Sequence, residues 1–231
     1  VDEGYVLENY GSLDNLAPLQ EGYCQVQDES PMLVAHVVDP QPGELVLDVC
    51  SAPGGKTTHM AALMENRGRI VACDIYDHKL QRVMENAARL GINIIDPMLK
   101  DAREIQQDFP QQADRVLVDA PCSGLGVLRR KPDSRWRKTQ QLLKELPELQ
   151  LEILKSGAAC VKPGGILVYS TCTIAREENQ AVVEKFLKDN AEFQLEHTGS
   201  RLPVPREDVM VQLYPQRDGT DGFFIACMRR K

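Results

Sequence analysis

The 231-residue chain has no apolar stretch of eighteen or more residues, which excludes a helical membrane span. It does not open with a charged, apolar and small-residue leader, so a cytoplasmic protein is the expectation. Its seven cysteines form no C-x-x-C pair and follow no regular spacing. That argues against a disulfide framework and a zinc site, so reduced thiols and no bound metal are expected. The dinucleotide fingerprint G-x-G-x-x-G is missing, which disfavours a nicotinamide-dependent dehydrogenase. So is a phosphate loop: the "GGKT" of residues 54–57 would need a glycine where Cys50 stands. An excess of positive charge is lacking too. The net charge is −7, and only residues 129–138, "RRKPDSRWRK", gather six basic residues, Arg129, Arg130, Lys131, Arg135, Arg137 and Lys138, around one aspartate and the single tryptophan, Trp136.

What is present is an alternation of short apolar runs and longer amphipathic segments. "ELVLDVC" (44–50), "RIVACD" (69–74), "IIDPMLKD" (94–101), "ADRVLVDAPCSG" (113–124) and "ILVYSTC" (166–172) read as strands. Helices are expected after the Gly54-Gly55 turn, over 77–91, over 139–165 with a break at Pro147, and over 175–190. The closing "VMVQLYPQRDGTDGFFIACMRR" reads as two strands joined by a Gly/Asp turn. Such a pattern implies an α/β fold: a mostly parallel sheet covered on both faces, ending in an antiparallel hairpin. Ligands bind such sheets beyond the carboxyl ends of the strands.

Those ends hold the unusual residues. Gly54 and Gly55 let the backbone of "DVCSAPGGKT" approach a ligand closely. Asp74 lies roughly 20 residues further on, where a carboxylate can hold both ribose hydroxyls. Asp101 and Asp119 end the next two strands. Each aspartate alone is more readily a cap or turn residue, but together with the Gly loop they suit a ligand with a ribose, an adenine amine and a cationic centre. S-adenosylmethionine fits that description. Cys122 in "DAPCSG" and Cys172 in "STC" end two neighbouring strands and so face the same crevice. A lone free cysteine is more often core, as Cys73, Cys160 and Cys227 are read here; Cys24 carries no reading.

Two thiols beside a methyl donor suit methylation of a pyrimidine at carbon 5. Thiolate addition to carbon 6 makes carbon 5 enamine-like, and a second group must later remove the carbon-5 proton. Asp119 could hold the protonated ring nitrogen and exocyclic amine of cytosine. No histidine lies near either cysteine in sequence, so a thiolate would need a basic residue brought in by the fold, or the substrate, to activate it. The chemistry alone does not rank the two cysteines.

At "LDVCSAPGGKT", "ACD", "KDAR", "LVDAPCSGLGVLRRKPDSRW", "GGILVYSTCTIAREEN" and "DGTDGFFIACMRR" the sequence resembles the RNA 5-methylcytosine methyltransferases of the Sun/Fmu/RsmB and NOL1/NOP2 superfamily, and "RRKPDSRW" resembles its bacterial RsmB branch, which modifies 16S ribosomal RNA. The resemblance implies a Rossmann-like class I methyltransferase with a seven-stranded sheet. It implies Cys172 as the nucleophile, Cys122 as the residue that helps resolve the adduct, and an S-adenosylmethionine pocket lined by Cys50, Ser51, Ala52, Pro53, Gly54, Gly55, Lys56, Asp74, Asp101 and Asp119. Arg129, Arg130, Lys131 and Arg135 would contact RNA phosphates, with Trp136 either stacking on a base or packing into the domain. The same chemistry on tRNA or another RNA is the alternative. The first residue is Val1, and such enzymes usually carry a further N-terminal RNA-binding domain, so residues 1–30 are expected to be the tail of a preceding subdomain and 31–231 the catalytic domain. A monomer is expected.

Overall fold

The computed structural model describes residues 1–9, 11–137 and 139–231. Its strands are β1 (Leu45–Asp48), β2 (Arg69–Asp74), β3 (Ile95–Leu99), β4 (Ala113–Asp119), β5 (Val161–Thr171), β6 (Phe193–Leu195), β7 (Val211–Leu213) and β8 (Phe223–Arg230). The helices are α1 (Ala17–Gln20), α2 (Glu29–Val38), α3 (Gly55–Leu63), α4 (Asp77–Arg89), α5 (Gln140–Cys160), α6 (Gln180–Asp189) and α7 (Pro215–Asp218). No helix among the described residues is long and apolar enough to cross a membrane.

The sheet runs β3-β2-β1-β4-β5-β8-β6, with β1 to β5 parallel and β8 antiparallel to β5. β7 and β6 pair with successive halves of the free edge of β8, so eight strands among the described residues fill seven positions. The expected terminal hairpin is β7 and β8. The added strand, β6, is three residues long and too short to carry a period-2 signal.

Side chains alternate across the sheet as strand geometry demands. Val116 and Val118 of β4, Leu167 and Tyr169 of β5, and Phe224, Ala226 and Met228 of β8 join one core under α5 and α6. Leu117, Ile166, Val168, Phe223, Ile225 and Cys227 join the other, under α2, α3 and α4. Both faces are buried, which is why these strands read as unbroken apolar runs. Cys73, Cys160 and Cys227 are buried in these cores, as expected, and Cys24 is exposed.

Two helices differ from the sequence pattern. α5 continues through Pro147. Proline removes one backbone bond, but buried Leu146, Leu151, Ile153, Leu154 and Ala158 hold the helix on both sides of it. α6 starts at Gln180 rather than 175 because Thr173, Glu178 and Asn179 bond their side chains to neighbouring loops, a local alternative to helix. The 30/31 boundary falls within α2. Asp28 caps that helix by accepting from Ser30 N at 3.1 Å, and Arg89 at the end of α4 donates to Leu19 O and Cys24 O at 2.7 and 2.8 Å.

Candidate active site

The strand order reverses between β1 and β4, and in an open α/β sheet the ligand crevice opens at that point. From β1 the chain passes through buried Ser51, whose N–H and hydroxyl both donate to Cys73 O, and through a cis Ala52-Pro53 bond into α3. Gly54 has φ +102°, and a Cβ there would lie 3.1 Å from Val83 Cα, so both the turn and the packing of α4 call for glycine. Gly55 faces the side chain of Gln27, while Gln25 donates to Gly55 O at 3.0 Å. Burial pushes the half-buried Cys50 thiol well up. Asp74 ends β2 with an 11 % exposed side chain and accepts from Tyr76 N at 3.0 Å. Its place at the crevice suits a ribose.

Asp101 differs from the expectation. β3 stops at Leu99, and Asp101 caps the 3-10 turn 102–107 while gripping Arg103 with both carboxylate oxygens. The Arg103 hydrogen bond, foremost, holds its carboxyl below the usual range.

At the end of β4, Asp119 accepts from Lys56 Nζ at 2.7 Å and from Ser170 Oγ at 2.8 Å. Burial alone would depress the Lys56 ammonium, but Asp119 outweighs it and holds the charge on. Next to this pair the two loops carrying Cys122 and Cys172 meet, with the sulfurs 3.3 Å apart. The hydrogen bond from Cys122 is the main cause lowering the Cys172 pKa, against burial and Asp119, and Lys56 adds to the lowering. The same bond, with burial, pushes Cys122 well up. Between the two sulfurs, Cys172 is thus the one favoured to carry negative charge and Cys122 the one favoured to keep its proton.

The sequence had left the source of that thiolate open. Lys56 supplies part of it; the resemblance implies Lys56 as a lining residue of the S-adenosylmethionine pocket, and nothing in its spacing reveals its electrostatic effect on Cys172. Also unforeseen was Asp48. It is 1 % exposed, Thr57 Oγ1 donates to one of its oxygens at 2.7 Å, and the other makes no close hydrogen bond among the described residues. Burial raises its pKa to about 7.

The Cys172 loop is pinned by glycines. Gly126 N donates to Cys172 O at 3.0 Å, and Gly222 N donates to Gly126 O at 2.9 Å. A Cβ on Gly126 would fall 1.9 Å from Gly222 O and 2.8 Å from Cys172 O, both backbone atoms that cannot swing aside. Gly126→Ala is therefore expected to destabilise the fold by about 3 kcal/mol, read as a fall in Tm by thermal unfolding; an unchanged Tm would contradict this packing.

The basic stretch divides. Arg129 and Arg130 both pair with Asp28 and Asp221, whose side chains are 9 % and 6 % exposed. They tie α2 and the 219–222 turn to the segment after Cys122. Lys131 and Arg135 are exposed, and Arg135 lies 4.4 Å over the ring of Trp136, which is 77 % exposed rather than packed into the domain. Lys138 lies outside the described residues. Because Asp28 and Asp221 are buried, cutting the clamp strands charge inside the protein. The double variant Arg129→Ala/Arg130→Ala, which leaves both carboxylates without their cations, is expected to lower stability by about 3 kcal/mol in urea unfolding, and a change within about 0.5 kcal/mol would refute the clamp. Away from the crevice, Glu3 Oε1 sits 2.5 Å from His36 Nε2 and 3.0 Å from His59 Nε2, a hydrogen-bonded trio and the only potential metal-ligating cluster among the described residues.

A doubly covered α/β sheet with this crevice defines a Rossmann-like methyltransferase. Residues 35–229 match the family described as 16S rRNA methyltransferase RsmB/F, and the chain belongs to that family. It is 46% identical over 218 residues to a probable ribosomal RNA small subunit methyltransferase B of Bacillus subtilis, covering 92% of this chain and 49% of the relative. A Synechocystis relative bearing the same description is 41% identical over 225 residues, covering 95% and 50%. The chain thus spans about half the length of these curated relatives. The solved structure of NSun6 from Pyrococcus horikoshii with SFG superposes with a TM-score of 0.85 at 32% identity, covering 96% of this chain and 56% of that one.

Proposed function

We propose that this chain transfers the methyl group of S-adenosylmethionine to carbon 5 of a cytosine in small-subunit ribosomal RNA, through a covalent bond between Cys172 and carbon 6. The observation that carries the reading is the 3.3 Å pair of sulfurs beside the Lys56–Asp119 ion pair. Family membership and the names of the relatives support the ribosomal substrate.

The residues present fit the cofactor. The left-handed turn at Gly54, Asp74 at the tip of β2 and the buried carboxyl of Asp48 offer a close backbone, a ribose acceptor and a group that a bound cationic centre would draw toward its charged form. When bound, S-adenosylmethionine supplies an electrophilic methyl group, which carbon 5 takes up. The chain's own residues do the rest. The Cys172 thiolate adds to carbon 6, and the electrons of the 5,6 double bond become available at carbon 5. Asp119 accepts hydrogen bonds from the exocyclic amine of cytosine and from the ring nitrogen once that nitrogen has taken up a proton from solvent, while Lys56 offsets the charge the ring gathers. Once Cys172 is bonded to carbon it no longer draws on the Cys122 proton. The main cause raising the Cys122 pKa then disappears, so Cys122 can release its proton to solvent and, as thiolate, take the one on carbon 5. The electrons of that C–H bond restore the double bond and expel Cys172 as thiolate.

The exposed Lys131, Arg135 and Trp136 are the free contacts for RNA, in phosphate binding and base stacking. The reading is tested with small-subunit rRNA carrying 5-fluorocytidine, whose fluorine cannot leave as a proton does. Incubation with S-adenosylmethionine is expected to yield an adduct stable to denaturation, with the RNA on the peptide containing Cys172. An adduct on Cys122, or a methylated nucleoside other than 5-methylcytidine from ordinary RNA, would overturn it.

A further inference from the structure

Between the two cysteine loops lies a carboxylate for which the reaction has no direct use. Glu178 is fully buried, in the turn before α6. Its Oε2 accepts from Ser123 N at 2.8 Å and from Gln150 Nε2 at 2.9 Å; its Oε1 accepts from Ser123 Oγ and, at 3.4 Å, from Thr173 Oγ1. Ser123 Oγ and Thr173 Oγ1 are themselves 2.8 Å apart. Gln150 also donates to Pro121 O at 3.0 Å, and Tyr169 OH donates to the Glu178 carbonyl at 2.6 Å. The residues on both sides of Cys122, Pro121 and Ser123, and the residue after Cys172, Thr173, thus converge on one buried side chain.

We infer that Glu178 is a positioning residue that holds Cys122 in register with Cys172 and so governs release of the covalent adduct more than its formation. The inference rests on the proposed cytosine chemistry.

The two loops depend on Glu178 unequally. Cys172 has other supports. β5 pairs with β8 up to Thr171, Gly126 N donates to Cys172 O, and Asn179 accepts from Thr171 Oγ1 while donating to Thr173 O. The Cys122 loop lies past the end of β4, and its neighbours Pro121 and Ser123 are held through the Glu178–Gln150 pair. Removing the carboxylate leaves Cys172 placed to attack and lets Cys122 drift. Drift of about 1 Å costs a proton transfer up to 100-fold. Glutamine restores the clamp, because its carbonyl can take the Oε2 position facing the two N–H donors and its amide can face Ser123 Oγ, a hydroxyl that accepts as readily as it donates.

The test follows one turnover on small-subunit rRNA, measuring adduct by denaturing gel and released 5-methylcytidine by nucleoside analysis. Glu178→Ala is expected to slow adduct formation modestly, because Cys172 loses the Cys122 hydrogen bond while Lys56 still favours its thiolate, and to slow release by at least about tenfold more than formation. Glu178→Gln is expected to recover most of the release rate. Ser123→Ala, which deletes one hydroxyl and leaves the carboxylate in place, shifts the partition the same way by a smaller factor, and decides the matter if Glu178→Ala does not fold. Equal slowing of both steps in these variants, or release as fast as in wild type, would overturn the positioning role. Failure of the wild-type protein to form any adduct would instead sink the proposed function.

Discussion

Cys172→Ala is expected to abolish methyl transfer to RNA, lowering the rate by three orders of magnitude or more, and to abolish the adduct with it. Removing a nucleophile that acts within a concerted unit forfeits nearly all of the unit's contribution. Cys122→Ala should behave differently. The hydrogen bond from Cys122 is the main cause lowering the Cys172 pKa, so its loss slows attack at neutral pH, but Lys56 still favours the thiolate. Adduct therefore forms and then accumulates for want of the group that takes the carbon-5 proton. The two variants give opposite readings on one denaturing gel with ordinary rRNA: no retained band for Cys172→Ala, a stronger one for Cys122→Ala. A retained band in Cys172→Ala that carries Cys122 would reverse the assignment of the two thiols.

Asp48→Asn is expected to stabilise the protein, and to do so only above acidic pH. The folded protein holds the Asp48 proton up to about pH 7 through burial, whereas the unfolded chain releases it near the ordinary 3.8. Below that lower value both states are protonated and Asp48 imposes no penalty. Between the two values the folded state binds more protons than the unfolded one, so stability falls as pH rises, and above about 7 the loss is complete. A gap of about three pKa units corresponds to an upper bound of about 4 kcal/mol. Asparagine mimics the neutral carboxyl and can still accept from Thr57. The gain in ΔG of unfolding over wild type should be about 2–4 kcal/mol at pH 8 and should vanish toward pH 4, measured by urea denaturation at both. A gain that does not change with pH would mean that Asp48 is not held neutral. Retaining this carboxylate at a stability cost is the pattern expected of a site kept for its charge.

The fold was legible wherever burial on both faces produced unbroken apolar strands, as in β1, β2, β4, β5 and β8. It was not legible at β6, which is too short, or through Pro147, where packing outweighs one lost hydrogen bond. The strand-tip argument brought Asp119, Cys122 and Cys172 together correctly, since parallel strands put their carboxyl ends on one side. It placed Asp101 at the end of β3, which stops two residues earlier, at Leu99, with Asp101 capping the turn that follows. It could not foresee that Arg129 and Arg130 face Asp28 and Asp221, because their partners are about 100 residues away along the chain. Lys56, Asp48 and Glu178 matter through burial and long-range contact, which a linear pattern does not encode.

The order of the sheet has a consequence for how the molecule comes into being. β8 lies between β5 and the β6–β7 edge, although it follows all of these strands along the chain. The turn just before it supplies Gly222 to Gly126 and Asp221 to Arg129 and Arg130. A chain emerging from the ribosome can assemble β1 to β5 early, but the brace behind Cys172 must wait for a contact that closes a loop of about 100 residues. The thiol pair acquires its final geometry only when synthesis of this segment is complete, so an incomplete chain does not yet carry a finished reactive centre.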